Sequence, residues 1–344
     1  MKKLLVLFAG ILLNAAFFTT YADEQEKSPF MTRTFPASSI KEAEAVTMGG
    51  NLTLTGDAGS TAVVEVYVSR DDWPAEKIKQ VLEDCYSMDI KVEKGKLYAV
   101  ATLKKNTSDQ NRQGLLSISF KISVPKQVNS NLQTDGGSIK VSNLSGSRNF
   151  KTSGGSLTVD NVSGSTVGST SGGSITVTGS KGNIDLTTGG GSITAKDCSG
   201  KIDLTTCGGN LNMSNLSGNI NATTGDGSIT TSDIKGTFIT GTSGGSVNLD
   251  GISGNLEAHT YGGSMNVKIK SASDYVKLSN FGNLNLTLPA GKSYNLNVKA
   301  DNIEVSGLQD FRGTKDGKSI EGTVKGDGPE INVTSSHLLR LSFE

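Results

Sequence analysis

One spacing constrains this chain more than any other feature. From Gly137-Ser138-Ile139 to Gly263-Ser264-Met265, a Gly-polar-aliphatic triplet returns every 18 residues without an insertion, through Gly155, Gly173, Gly191, Gly209, Gly227 and Gly245. A second glycine column keeps the same step at Gly146, Gly164, Gly182, Gly200, Gly218, Gly236 and Gly254. A third column is threonine, at Thr152, Thr170, Thr188, Thr206, Thr224, Thr242 and Thr260. A Gly/Ser linker has no reason to hold three columns at one spacing, so the period marks a repeated structural unit.

Within each unit the apolar residues alternate. Ile139/Val141, Ile175/Val177 and Val247/Leu249 mark one strand; Ile184/Leu186, Ile202/Leu204 and Leu256/Ala258 mark another. This is strand periodicity with one face buried. An antiparallel meander and a β-solenoid both satisfy it. In the solenoid each block is one coil, and equivalent residues stack ~4.8 Å apart along an axis. Position-by-position identity favours the solenoid, because only stacked coils set like residues directly above one another. The predicted fold is therefore all-β: a single-stranded β-solenoid (β-helix) of 18-residue coils, two short strands per coil, with a small helix-containing N-terminal capping region.

The columns have separate jobs. Gly137 and its equivalents start a strand after a tight turn, where positive φ or close packing excludes a Cβ. Asn143, Asn161, Asp197, Asn215 and Asp233 stand three residues before the second glycine, and Asn and Asp tolerate left-handed backbone there. The threonines share the inward parity, so their hydroxyls can bond along the stack while their methyls pack inward. Cys198 occupies a column with Leu144, Val162, Ser180, Leu216, Ile234 and Ile252, and reads as a small core residue. Cys207 falls half a coil away, too far for a disulfide to Cys198. Free thiols are expected.

The flanks are less regular. Residues 45–68 hold a degenerate unit around Gly49-Gly50-Asn51-Leu52-Thr53-Leu54, and Asp72-Trp73-Pro74 opens a helix predicted to run through Glu83. Strands are expected over 89–93, 97–103 and 115–124. After the strict repeats, strand signals return around Leu284, Ile303 and Ile331 in looser steps. Expected domains are a signal peptide (1–22), a capping region (23–125), the regular repeats (126–270), and degenerate coils with a C-terminal cap (271–344). The signal peptide reads from Met1-Lys2-Lys3, an apolar run from Leu4 to Phe18, and Thr20-Tyr21-Ala22. An exported protein, periplasmic, at the cell surface or secreted, is the consequence.

Lys+Arg and Asp+Glu are equal at 33 each, which removes the basic face of a nucleic-acid binder. Two histidines and three cysteines without a C-x-x-C pair point away from zinc. Only Gly225-Asp226-Gly227 approaches a calcium β-roll motif, once, so neither metal nor cofactor is expected.

The Ser123-Val124-Pro125-Lys126 lead-in, the Gly-Gly-Ser-Ile-x-Val and Gly-x-Ile-x-Leu-x-Thr half-repeats, and Asn283-Leu284-Asn285-Leu286-Thr287-Leu288-Pro289 resemble the DUF4097 group of exported bacterial proteins, often described as adhesins. The resemblance covers most of the mature chain. It implies an envelope or cell-surface β-solenoid and supplies no catalytic residues. The candidate contact surface is the outward column Thr158, Thr176, Thr194, Asn212, Thr230 and Asn248, facing a cell-surface glycan or envelope protein. Ice binding through outward threonines is conceivable, but Asn and Lys interrupt the column. The competing class is a polysaccharide-acting β-helix enzyme, lyase or hydrolase. It would use carboxylates such as Asp185 and Asp203, but neighbouring Lys181 and Lys201 and the lack of loop insertions favour solvated charges. His259 and His337 read as isolated.

Overall fold

The 18-residue step in sequence becomes the hydrogen-bond register in space. The computed structural model describes residues 28–70, 73–105 and 116–344. Leu157–Asp160 pairs in parallel with Ile175–Thr178, and that strand with Ile193–Lys196, each residue opposite the one 18 further on. The second half of each unit does the same: Ser145–Thr152, Ser163–Thr170, Lys181–Thr188 and Ser199–Thr206 form a parallel ladder with no slip. Parallel pairing throughout this region excludes the antiparallel meander. From Leu211 the two strands of a unit run together as Leu211–Thr224, Ile229–Thr242 and Val247–Thr260.

Each unit thus contributes one strand to a first side and one to a second. The inward residues of both sides form one continuous core, including Leu157, Ile175, Ile193 and Ile229 of the first and Ile184, Ile202, Ile220 and Phe238 of the second. The bend between the sides is left-handed at Asn143, Asn161, Asp197, Asn215 and Asp233, with φ of 58°, 49°, 55°, 52° and 54°. Gly179 and Gly251 complete the column at 61° and 72°. The expected turn chemistry holds in each layer from Asn143 to Gly251.

The threonine column works differently from a hydroxyl ladder. Thr188 Oγ1 donates to the Gly173 carbonyl of the preceding layer at 2.7 Å and accepts the Gly191 N–H at 3.2 Å. Thr170, Thr206 and Thr224 repeat the arrangement. Each buried hydroxyl therefore joins the N–H of one turn to the carbonyl of the turn below it, and neither backbone group is left unpaired. An unpaired buried backbone group would cost about 1–3 kcal/mol.

The two ends depart from sequence order. At the N-terminal end, Glu42–Thr47 and Leu52–Thr55 form a layer lying between Asn129–Thr134/Ile139–Ser142 and Lys96–Leu103/Ser117–Ser123. Beyond it the direction reverses: Tyr86–Glu93 closes the second side antiparallel, and Thr61–Ser69 with Met31–Pro36 closes the first. At the C-terminal end the last two strands, Glu330–Ser335 and Leu338–Phe343, sit one layer inward. They separate Met265–Asn280 and Leu284–Leu288 from Tyr294–Lys299 and Asn302–Ser306. Ser319–Val324 and Phe311–Lys315 then turn antiparallel on the second side.

Several expectations are corrected by this arrangement. The C-terminal units do not stack in chain order, because the final pair is inserted. The N-terminal end is closed by antiparallel strands, and the one short helix expected in this region connects two of them. The helix spans Ala75–Cys85, preceded by Pro74, with Leu82 and Cys85 buried and Ile78 and Val81 beside them; it leads directly into Tyr86–Glu93. Gly137 and its equivalents have no positive φ; close packing alone excludes their Cβ. Cys198 and Cys207 are free thiols, the first buried and the second exposed, and Cys85 is buried. Burial pushes the Cys198 thiol up, against lesser opposing backbone hydrogen bonds. The signal-peptide residues and Asp72 lie outside the described residues. Among the described residues no helix is long and apolar enough to cross a membrane.

A buried cation breaks the core pattern. In the column that holds Ile184, Ile202 and Ile220, Arg148 is 3% exposed. Its guanidinium donates to Thr166 Oγ1 at 3.1 Å and to the Ser163 carbonyl at 2.7 Å, while Nε has no partner. Burial pushes this group down to about 10. At neutral pH it is charged folded and unfolded alike, so the penalty is constant there and eases only above about pH 10, where the folded state sheds its proton first. Replacing both polar residues, Arg148→Ile with Thr166→Val, restores the aliphatic column and should stabilise the protein by about 1–3 kcal/mol in urea denaturation. A less stable double variant would show that the buried cation supports the fold.

Candidate functional site

Strand alternation places the outward candidates on the first side, and register aligns them. Thr158, Thr176, Thr194, Asn212, Thr230 and Asn248 are successive partners across six layers. Thr176, Thr194, Asn212 and Thr230 are exposed; Thr158 and Asn248 are half-buried. The file continues past Asn248: Asn266 Nδ2 donates to Asn248 Oδ1 at 2.7 Å, and Asn285 Nδ2 to Asn266 Oδ1 at 2.6 Å. A second outward set, Ser232 paired with Asp250 and Lys268 paired with Thr287, runs beside it. Between the two lies a shallow groove of about 460 Å³. Short hydroxyl and amide side chains on a regular ladder can hydrogen-bond a repetitive partner and lose little rotamer entropy in doing so.

On the second side Asp185 and Asp203 are direct register partners, as their spacing implied, and Lys201 Nζ lies 3.2 Å from Asp203 Oδ2. Among the described residues no group of three or more His, Cys, Asp or Glu is placed to hold a metal ion.

The two histidines are not isolated from each other's surroundings. The His259 ring is 5.7 Å from the Tyr261 ring, which is 5.5 Å from that of Phe281. The Phe281 carbonyl is 2.7 Å from His337 Nδ1. Tyr261 and Phe281 are 60% and 53% exposed, in a turn column that holds Cys207, Gly225 and Ser243 in the layers before. The shift from small residues to rings in that column was a legible signal. His337 was not: only the inserted C-terminal strands bring it to this corner.

Beside the rings, Glu257, Lys277, Asn332 and Asn297 are register partners across four strands, and so are His259, Ser279, Thr334 and Lys299. The trough between these files encloses about 440 Å³. A neighbouring hollow of about 450 Å³, lined by Asp274, Tyr275, Asn295 and Glu330, shares Lys277 with it. Lys277 Nζ stands 4.7 Å from the Tyr275 ring centre.

No protein-family profile matches the chain, and no curated protein matches it in sequence. Among solved structures it is similar to a "putative cell adhesion protein" of Clostridium sporogenes, at 8% identity over 91% of this chain and 98% of that one, with a TM-score of 0.17. It is similar to a "putative lipid binding protein" of Parabacteroides distasonis, at 15% identity over 92% and 97%, with a TM-score of 0.30. A "putative adhesin" of Bacteroides fragilis matches at 15% identity over 74% and 95%, with a TM-score of 0.29. Likenesses with TM-scores this low decide neither fold nor function.

Proposed function

We propose that this is an exported, non-enzymatic protein of the DUF4097 adhesin type. Its repeats wind as a β-solenoid and present a repetitive polar surface to a glycan or protein of the cell envelope. The observation that carries the reading is the unslipped parallel register of the central layers, which turns six separate residues, Thr158 to Asn248, into one straight polar file. Hydroxyl and amide groups at strand spacing suit an extended partner with its own repeat. Export rests on the basic-then-apolar start of the chain.

Binding of the purified protein to isolated cell envelopes tests this. The expected result is saturable binding that falls at least ten-fold when Thr176, Thr194 and Asn212 are all changed to Glu. Saturable cleavage of any envelope polysaccharide would replace the reading with that of a polysaccharide-acting enzyme.

A further inference from the structure

We propose that the C-terminal layers carry a binding site for a neutral oligosaccharide, on the second side, running from Tyr275 to the ring pair Tyr261/Phe281. This deepens the envelope-binding reading and rests on it, but it places the contact on a different surface and names the ligand class.

Four observations carry the assignment. First, Tyr261 and Phe281 expose more than half their surface to water and touch each other, a costly arrangement that packing does not require. Flat rings offered to solvent suit the C–H face of a pyranose, which is apolar on its faces and polar at its rim. Second, the outward residues of one strand, Tyr275, Lys277 and Ser279, lead across the sheet to Phe281. Six residues at ~3.3 Å each make a path of about 20 Å with an aromatic ring at both ends. A chain of several sugar rings fits that length. Third, the trough between supplies planar hydrogen-bonding groups for hydroxyls: the Glu257 carboxylate, the Asn297 and Asn332 amides and the His259 imidazole. Fourth, the charges along it are mixed, with Glu257, Asp274 and Glu330 against Lys277 and Lys299. Neither sign dominates, which argues against a polyanion and for an uncharged ligand.

The inserted C-terminal strand is part of the site. Asn332 and Thr334 stand between Lys277 and Asn297 and between Ser279 and Lys299 because Glu330–Ser335 is wedged between two earlier strands. A chain that stacked in sequence order would not build this surface.

Isothermal titration with cello-, chito-, xylo- and mannohexaose, and with hexagalacturonate as an acidic control, tests the proposal on the intact protein. At least one neutral hexaose should bind, and Tyr261→Ala with Phe281→Ala should weaken it at least ten-fold. Tyr261→Leu with Phe281→Leu keeps apolar bulk without a flat ring and should weaken it as well, with circular dichroism unchanged. The Thr176/Thr194/Asn212 glutamate variant should bind the hexaose like the parent. Binding of no neutral hexaose, undiminished binding by both ring variants, or tighter binding of the galacturonate would overturn the proposal. Should envelope binding then persist and fail only in the glutamate variant, the first-side reading would stand while this site falls.

Discussion

Gly191→Val should lower stability by about 3–5 kcal/mol, while Gly190→Ala, one residue earlier, should change it by no more than about 0.5 kcal/mol. A Cβ built on Gly191 would lie 2.0 Å from the Gly173 carbonyl oxygen and 2.7 Å from the Ser174 nitrogen, both backbone atoms of the adjacent layer. They cannot move aside without opening the ladder. The same carbonyl accepts the Thr188 hydroxyl, which in turn accepts the Gly191 N–H, so a displaced turn also breaks the relay. A Cβ on Gly190 meets nothing within 4 Å. Urea denaturation of the two variants against the parent checks the contrast. Equal stability would mean that the turns are not packed face to face.

Ending the chain at residue 329 should unfold residues 294–324 and spare the central layers. The two strands removed bury Ile331, Val333, Leu339, Leu341 and Phe343, and each apolar side chain contributes about 1.5–3 kcal/mol. They are also the parallel partners through which Tyr294–Lys299 and Asn302–Ser306 reach the rest of the sheet. Without them the antiparallel strands Ser319–Val324 and Phe311–Lys315 have no anchor. Central layers keep their own neighbours, because stability in a stacked array is mostly nearest-neighbour. Hydrogen exchange should therefore show fast exchange over 294–324 and protection over 139–260. Retained protection in both regions would show that the inserted pair is dispensable.

What was legible in the sequence was whatever depends on one layer meeting the next. Gly146-type glycines, with φ such as 119° at Gly146 and 121° at Gly200, and the left-handed Asn/Asp column announce themselves because every layer needs the same backbone at the same place. The inward aliphatic columns follow from alternation. Less visible was the partner of each threonine hydroxyl, since a carbonyl leaves no mark in a sequence. The order of the terminal layers was hidden for a related reason. Leu284, Ile331 and Ile303 all carry ordinary strand signals, and nothing in those signals says which pairs with which. The outward Thr/Asn file was legible in full as a surface. The trough and the rings beside it were half legible, because Tyr261 and Phe281 stand out in their column while Asn332, Thr334 and His337 arrive from segments far along the chain.

Spin labels on the outward file give a direct ruler for the stacking. With Cys207 replaced by Ser to remove the exposed thiol, labels at Lys140 and Thr194 span three layers, and labels at Lys140 and Thr230 span five. At ~4.8 Å per layer, pulsed electron resonance should return separations near 14 Å and 24 Å, rising in proportion to the number of 18-residue steps. Separations that fail to grow with the number of steps would contradict parallel, in-register stacking, and the continuous polar face with it.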